Sequence, residues 1–348
     1  MMTWTFSLPL RQSLPLRLGR LCATLALACV PMAAHAQTPQ SPHPPQASPP
    51  QRIADAWYAH NAVLGMLGAA DKVVATVARP SALPWMFRIA PGLSHAQSID
   101  GATMNAEELL RLHTDVVFTT SADPSAAALT RSGLNVVPVG FDDFTSMLRC
   151  IDLTAATLAT PLARQRAQSY RQFLHQTITD TAASFADLPA AKRPRVLHIA
   201  SLSPLKVDGA NTIVDQWIRA AGGRNAADRL NGNLKPVSIE QVLAWQPDIV
   251  ILAANAGTLD ASPQHALWDT LDAVREHRVY RNPAGVFPWD RYGPEVALEV
   301  RWAAHVLHPD VVRGDDEVVM TQRFYKTYFA YTLSAADAKR ILQGRPPA

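Results

Sequence analysis

Between Pro161 and Leu188, apolar side chains recur every three or four residues: Ala163, Ala167, Tyr170, Leu174, Ile178, Ala182 and Phe185. Arg164, Arg166, Arg171, Gln172 and Asp180 fill positions between them. This period predicts one amphipathic helix with a buried stripe. Thr160 caps its start, Pro161 takes the first helical position, and Leu188-Pro189 and Pro194 stop it. At 1.5 Å per residue it would run roughly 40 Å, longer than a crossover inside one small domain needs. A second pattern stands on both sides of it. Asn105-Ala-Glu-Glu-Leu-Leu-Arg-Leu-His-Thr-Asp-Val-Val-Phe118 reads as a capped helix running into a strand, and Ser238 to Ile251 repeats it in register. Glu107 matches Glu240, Leu110 matches Leu243, Asp115 matches Asp248 and Val117 matches Val250. A duplicated helix-to-strand unit flanking a long helix predicts two related α/β lobes, each with a parallel sheet, joined by a single rigid strut.

Strands and helices alternate through both halves. The first lobe predicts strands at Arg52–Ala54, Lys72–Val77, Val116–Thr119 and Asn135–Val139, with a long loop from Arg79 to Pro91. The second predicts strands at Arg195–Ala200, Ile249–Leu252 and Arg278–Tyr280, with loops Ser201–Asn211 and Arg281–Gly293. Pro294 starts a helix through Trp302 to Leu307, and Phe324, Tyr325, Tyr328 and Phe329 mark another. The resulting division is 37–51 as a Pro-rich leader, 52–142 as the first lobe, 143–190 as a helical connector, 191–310 as the second lobe and 311–348 as a helical tail.

The N-terminus changes the charge argument. Arg11, Arg17 and Arg20 precede the apolar run Leu21 to Ala34, which ends in Ala34-His35-Ala36. That is the pattern of a secretory signal peptide cleaved after Ala36, too short to span as an anchor; a lipid-modified Cys29 is the weaker reading. Losing residues 1–36 lowers Lys+Arg from 32 to 29, equal to the 29 Asp+Glu. A neutral mature chain gives no electrostatic case for nucleic acid. Cys22 and Cys29 leave with the signal, so Cys150 stands alone, without a disulfide, as a packing residue.

Chemistry-bearing motifs are few. There is no G-x-S-x-G elbow, P-loop, dinucleotide glycine pattern, cysteine pair or H-E-x-x-H, so neither an intrinsic cofactor nor a protein-bound metal is expected. His95, His113, His198, His305 and His308 read as core or surface groups. The βα loops and adjoining helix starts are richer. They hold Trp57, Tyr58, His60 and Asn61; Trp85, Phe87 and Arg88; Lys206 and Asp208; and Phe287, Trp289, Asp290, Arg291 and Tyr292. Ligands of open α/β sheets bind outside the strands' C-terminal ends, so these residues describe a cleft with aromatic walls and cations, suited to a bulky anionic ligand.

Several segments together resemble a known family: Leu67-Gly68-Ala69 followed by Asp71-Lys72-Val73-Val74, the two repeat units, the long linking helix, Ala221-Gly222-Gly223, and an aromatic loop before Pro294-Glu295. Over roughly Arg52 to Pro309 the chain is similar to the class III periplasmic binding proteins of ABC importers, which take up iron–siderophores, haem, cobalamin and other metal chelates. The resemblance implies a monomeric binder rather than an enzyme, delivering a metal chelate to a permease and ATPase at the inner membrane. It also implies docking onto permease arginines through Glu240, with Glu107 as its first-lobe counterpart. Thr114 departs from the pattern, standing where a proline is expected before Asp115. A small nickel complex or molybdate-type oxyanion is the alternative ligand. An exported α/β hydrolase would need a nucleophile with a base in reach, for which the sequence offers no motif.

Overall fold

The computed structural model describes residues 48–101, 104–312 and 316–348. The expected signal peptide with Cys22 and Cys29, its expected cleavage after Ala36 and the leader up to residue 47 lie outside them. Five strands build the first sheet: β1 Ile53–Asp55, β2 Val73–Thr76, β3 Gln97–Ser98, β4 Val116–Thr120 and β5 Val136–Val139. They are all parallel, in the order β3-β2-β1-β4-β5. The strand order reverses between β1 and β4, so the β1 loop opens at the crevice where such sheets bind ligands. Helices α1 Tyr58–Met66, α2 Pro84–Ile89, α3 Ala106–Arg111 and α4 Ala126–Arg131 connect these strands. The expected loop from Arg79 to Pro91 therefore contains a helix, started by Pro84 at its first position.

The connector is a helical hairpin. Asp143 and Ser146 form a capping box at the start of α5, Phe144–Leu158. The chain turns at Ala159, whose φ is 53°, and Thr160 caps α6, Pro161–Ala183. The long helix ends five residues before the position that its sequence period suggests. Phe185 leaves the helix to pack on His308, ring centroids 4.5 Å apart. It sits so close to Gly222 that a Cβ there would meet its ring at 2.9 Å.

The second sheet has β6 Arg195–Leu202, β7 Leu205–Val207, β8 Arg224–Asn225, β9 Lys235–Pro236, β10 Ile249–Leu252 and β11 Val279–Arg281. Its order is β11-β10-β6-β7-β9, with β8 paired to β6. The supposed loop Ser201–Asn211 contains a strand: β6 hairpins into β7, which runs antiparallel to β6 and β9. Its helices are α7 Ile213–Ala220, α8 Ile239–Trp245, α9 His265–Trp268, α10 Asp272–Arg275 and α11 Val296–Leu307. Two tail helices, α12 Glu317–Phe329 and α13 Ala335–Leu342, stand where the sequence suggests one.

The internal repeat is physical. In each lobe an aspartate just before a central strand accepts from a backbone N–H at the start of the neighbouring strand. Asp115 Oδ2 accepts from Arg52 N at 2.9 Å, and Asp248 Oδ2 accepts from Arg195 N at 2.6 Å. Both copies turn out of the helix through a left-handed residue, His113 (φ 49°) and Gln246 (φ 45°). The Thr114 departure leaves this geometry intact. Asp248→Ala and Asp115→Ala should each lower stability by about 1 kcal/mol, the value of a hydrogen bond to backbone. Their effects should add in the double variant, since the sites share no partner. Urea unfolding monitored by circular dichroism checks this; a strongly non-additive double variant would contradict the repeat's independence.

Candidate functional site

Three aromatic rings meet at the strands' C-terminal ends. Trp57 follows β1, Phe141 follows β5, and Tyr292 comes from the loop after β11 in the other lobe. Trp57 and Phe141 lie edge to face at 5.2 Å, and Tyr292 is 5.8 Å from each. The Tyr292 hydroxyl accepts from Asn233 Nδ2 at 2.6 Å. Tyr58, beside Trp57, is 48 % exposed. Lys206 is partly buried on β7, on the opposite side of the strand from the core residue Val207.

Behind the second-lobe side of this cleft lies a chain of buried charges. His198 Nδ1 contacts Asp208 Oδ2 at 2.8 Å, and its Nε2 lies 2.9 Å from Asp290 Oδ2. Arg291 Nη2 donates to Asp208 Oδ2 at 3.0 Å, and its Nε is 3.7 Å from Asp290. His198, Asp208 and Asp290 are fully buried, whereas the Arg291 side chain is 16 % exposed. Burial alone would lower the His198 pKa; the two carboxylates outweigh it, and the net shift is upward. Burial would likewise raise Asp208, but the hydrogen bond and charge of His198, then Arg291, hold it well below the usual carboxylate range. Two acidic side chains thus enclose His198 and brace the Arg291 guanidinium. Arg291 directs Nη1 and Nη2 at Asp208, leaving other donors of its five for a ligand.

The first-lobe side is closed by the buried His60–Asp55 pair. Thr154 gives its hydroxyl proton to Cys150 O, so it accepts from His60 Nε2 at 2.9 Å. Nδ1 of His60 then lies 3.1 Å from Asp55 Oδ2, whose pKa burial raises. His60 is fully buried beneath the Trp57 ring, parallel to it at 6.5 Å.

Several expected cleft residues are therefore placed elsewhere. His60 is a support under the floor, and Asp208 is a buried brace. Trp289 is fully buried, because it turns into the core as the loop after β11 folds back. Trp85 is buried, and its Nε1 donates to Arg345 O at 2.8 Å; Arg88 pairs with Asp337 at 3.2 Å. Both hold the C-terminal tail. Trp57, Tyr58, Lys206, Arg291 and Tyr292 remain available at or beside the cleft. Phe141 and Asn233 are additions; Phe141's position directly after a predicted strand was the available signal, whereas nothing local marks Asn233. Glu107 and Glu240 are exposed in the first turns of α3 and α8, and the Ser238 hydroxyl lowers the Glu240 pKa.

This two-lobed geometry has counterparts. Residues 58–285, more than half of the chain, match the periplasmic binding protein family. The chain belongs to the class III periplasmic binding proteins. This is a family of solute-binding proteins of ABC importers. The molybdate-binding protein MolA of Haemophilus influenzae is 26% identical over 282 residues, 73% of this chain and 78% of that protein. The vitamin B12-binding protein of Salmonella choleraesuis is 28% identical over 159 residues, 45% of this chain and 58% of that protein. A periplasmic solute-binding protein of Veillonella parvula superposes with a TM-score of 0.73 at 27% identity, covering 84% of this chain and 92% of that one.

The loop carrying Arg291 and Tyr292 is held from behind by Glu295. This fully buried carboxyl accepts from Phe287 N at 3.1 Å and from the Tyr325 hydroxyl at 2.9 Å. Burial pushes its pKa from 4.5 up to about 7. An acid raised on folding contributes stability that is complete below its unfolded pKa and is lost as pH rises through the folded one. Thermal unfolding from pH 4 to 8 should therefore show declining stability toward neutrality. Glu295→Gln should flatten that decline, and an identical slope in the variant would contradict the buried-acid assignment.

Proposed function

We propose that this protein captures a compact anionic solute, an oxyanion of the molybdate type or a small anionic metal complex, in its interlobe cleft. It then delivers the solute to an inner-membrane ABC permease and ATPase, after export by the signal peptide. The carrying observation is Arg291, fixed on one side by the buried carboxylate of Asp208 and partly exposed beside Tyr292. A guanidinium oriented this way makes charge-assisted, directional hydrogen bonds without first giving up conformational freedom. Lys206 adds a second cation on the same side. The expectation of a large chelate drew on Trp85, Arg88 and Trp289, which are engaged away from the cleft. The rings that remain touch across the lobes, which favours a small guest. The similarity to a molybdate-binding relative over most of both chains supports the same reading.

Calorimetry of the mature protein with molybdate, nickel–histidine, cyanocobalamin and a ferric siderophore tests the proposal. Molybdate or the nickel complex should bind, and Arg291→Ala should weaken that binding roughly tenfold to a hundredfold. Binding of cobalamin or siderophore alone would overturn the compact-anion reading.

Delivery rests on Glu107 and Glu240, one exposed acid per lobe at equivalent helix starts. Each can pair with a permease arginine, and as rim charges they affect docking more than ligand affinity. Glu240→Lys should leave solute binding intact while lowering uptake in vesicles containing the permease, with a further loss when Glu107→Ala is added. Unchanged uptake would leave Glu240 only a helix-start role.

A further inference from the structure

We infer that the C-terminal segment is an interlobe latch: it holds the ligand loop of the second lobe through Tyr325 and is itself held by Trp85 and Arg88 of the first lobe. The contacts run continuously from one lobe to the other. On the second-lobe side, Tyr325 of α12 donates to Glu295 and accepts from Val286 N at 3.2 Å. A Cβ at Gly285 would overlap that hydroxyl, so the loop's own sequence is fitted to it. The end of α13 adds a backbone bond, Ala284 N to Ile341 O at 3.0 Å. Gly344 (φ 64°) then lies so close to the second lobe that a Cβ would meet Asn282 O at 2.7 Å. On the first-lobe side, the next residue, Arg345, gives its carbonyl to Trp85 Nε1, while Arg88 reaches Asp337 and, at 3.4 Å, Ala348 O.

Neighbouring residues of one short tail are thus fixed to opposite lobes. A change in lobe angle must either break the Trp85 and Arg88 contacts or pull on the residues that meet Ala284 and Asn282. The loop pulled is the one carrying Arg291 and Tyr292. Lobe angle and loop conformation are therefore coupled through the tail, and Tyr325 is a positioning residue for the cleft. The latch deepens the proposed capture role, because it assigns a preset geometry to the same cleft.

The test uses the mature protein, without Cys22 and Cys29, and needs no ligand, so its failure is distinct from failure of the proposed ligand class. Spin labels at Glu107→Cys and Glu240→Cys report the distance between lobes. Cys150 stays unlabelled because it is buried, with its thiol pKa pushed up to about 11. With the latch intact, pulsed electron resonance should give one narrow distance distribution. Deleting residues 343–348 should broaden it, and so should Trp85→Phe combined with Arg88→Ala, which keeps an aromatic ring in the core. Hydrogen exchange supplies the coupling readout: Tyr325→Phe should speed exchange at the Val286 amide about tenfold, as expected for losing one hydrogen bond. The Trp85/Arg88 variant should also speed exchange at Ala284 and Val286, although it alters neither of their partners. Unchanged distance distributions in both latch variants would overturn the latch. Unchanged loop exchange in the Trp85/Arg88 variant would overturn the coupling.

Discussion

The apolar face of α6 makes the two lobes one body. Ala163, Ala167, Tyr170 and Leu174 are buried in a single contiguous core that also contains Ile53 and Val116 of the first sheet and Val196 and Ile249 of the second. Tyr170 seals the far end by donating to Pro294 O at 2.8 Å, at the start of the segment leading into α11. Each large side chain in such a core contributes about 1.5–3 kcal/mol through burial. Separating the lobes would return much of that surface to water. Any change of lobe angle must work against this shared core.

Electrostatics divide the cleft unequally. The second lobe carries a buried group of two acidic side chains with His198 and Arg291, and only Arg291 reaches solvent from it. The first lobe presents rings supported by His60, whose contacts are with Thr154 and Asp55. Removing one member of a buried charge group costs about 3–5 kcal/mol, because its partner is left uncompensated. His198 and Asp208 are thus committed to bracing the loop. Arg291 is the exposed end of this chain, and His198 lies in its buried middle.

Residue type alone cannot distinguish a brace from a contact. Trp85, Arg88 and Trp289 had the right chemistry and stood near predicted strand ends, yet tail contacts and core burial use them otherwise. The partners that decide their roles are distant in sequence: Trp85 meets Arg345, and Arg88 meets Asp337. No local pattern reports such pairings. Phe141 carries little signal in the sequence for the converse reason. It is one aromatic residue in a short turn, and its meaning comes from Tyr292 on the other lobe.

The sequence by itself determined the two-lobed α/β architecture, the helical strut and the duplicated helix-to-strand unit. Each of these depends on local periodicity, capping and turn chemistry, written within a few neighbouring residues. Asp115 and Asp248 were legible as matched positions, although their bonds to Arg52 and Arg195 required the sheets to form. Tertiary structure alone decided that β7 turns back antiparallel, that Phe185 leaves the helix to remain buried, and which polar side chains are left for a ligand. These outcomes arise from competition for burial and hydrogen-bond partners between segments far apart in the chain, and that competition is resolved only when the whole core closes.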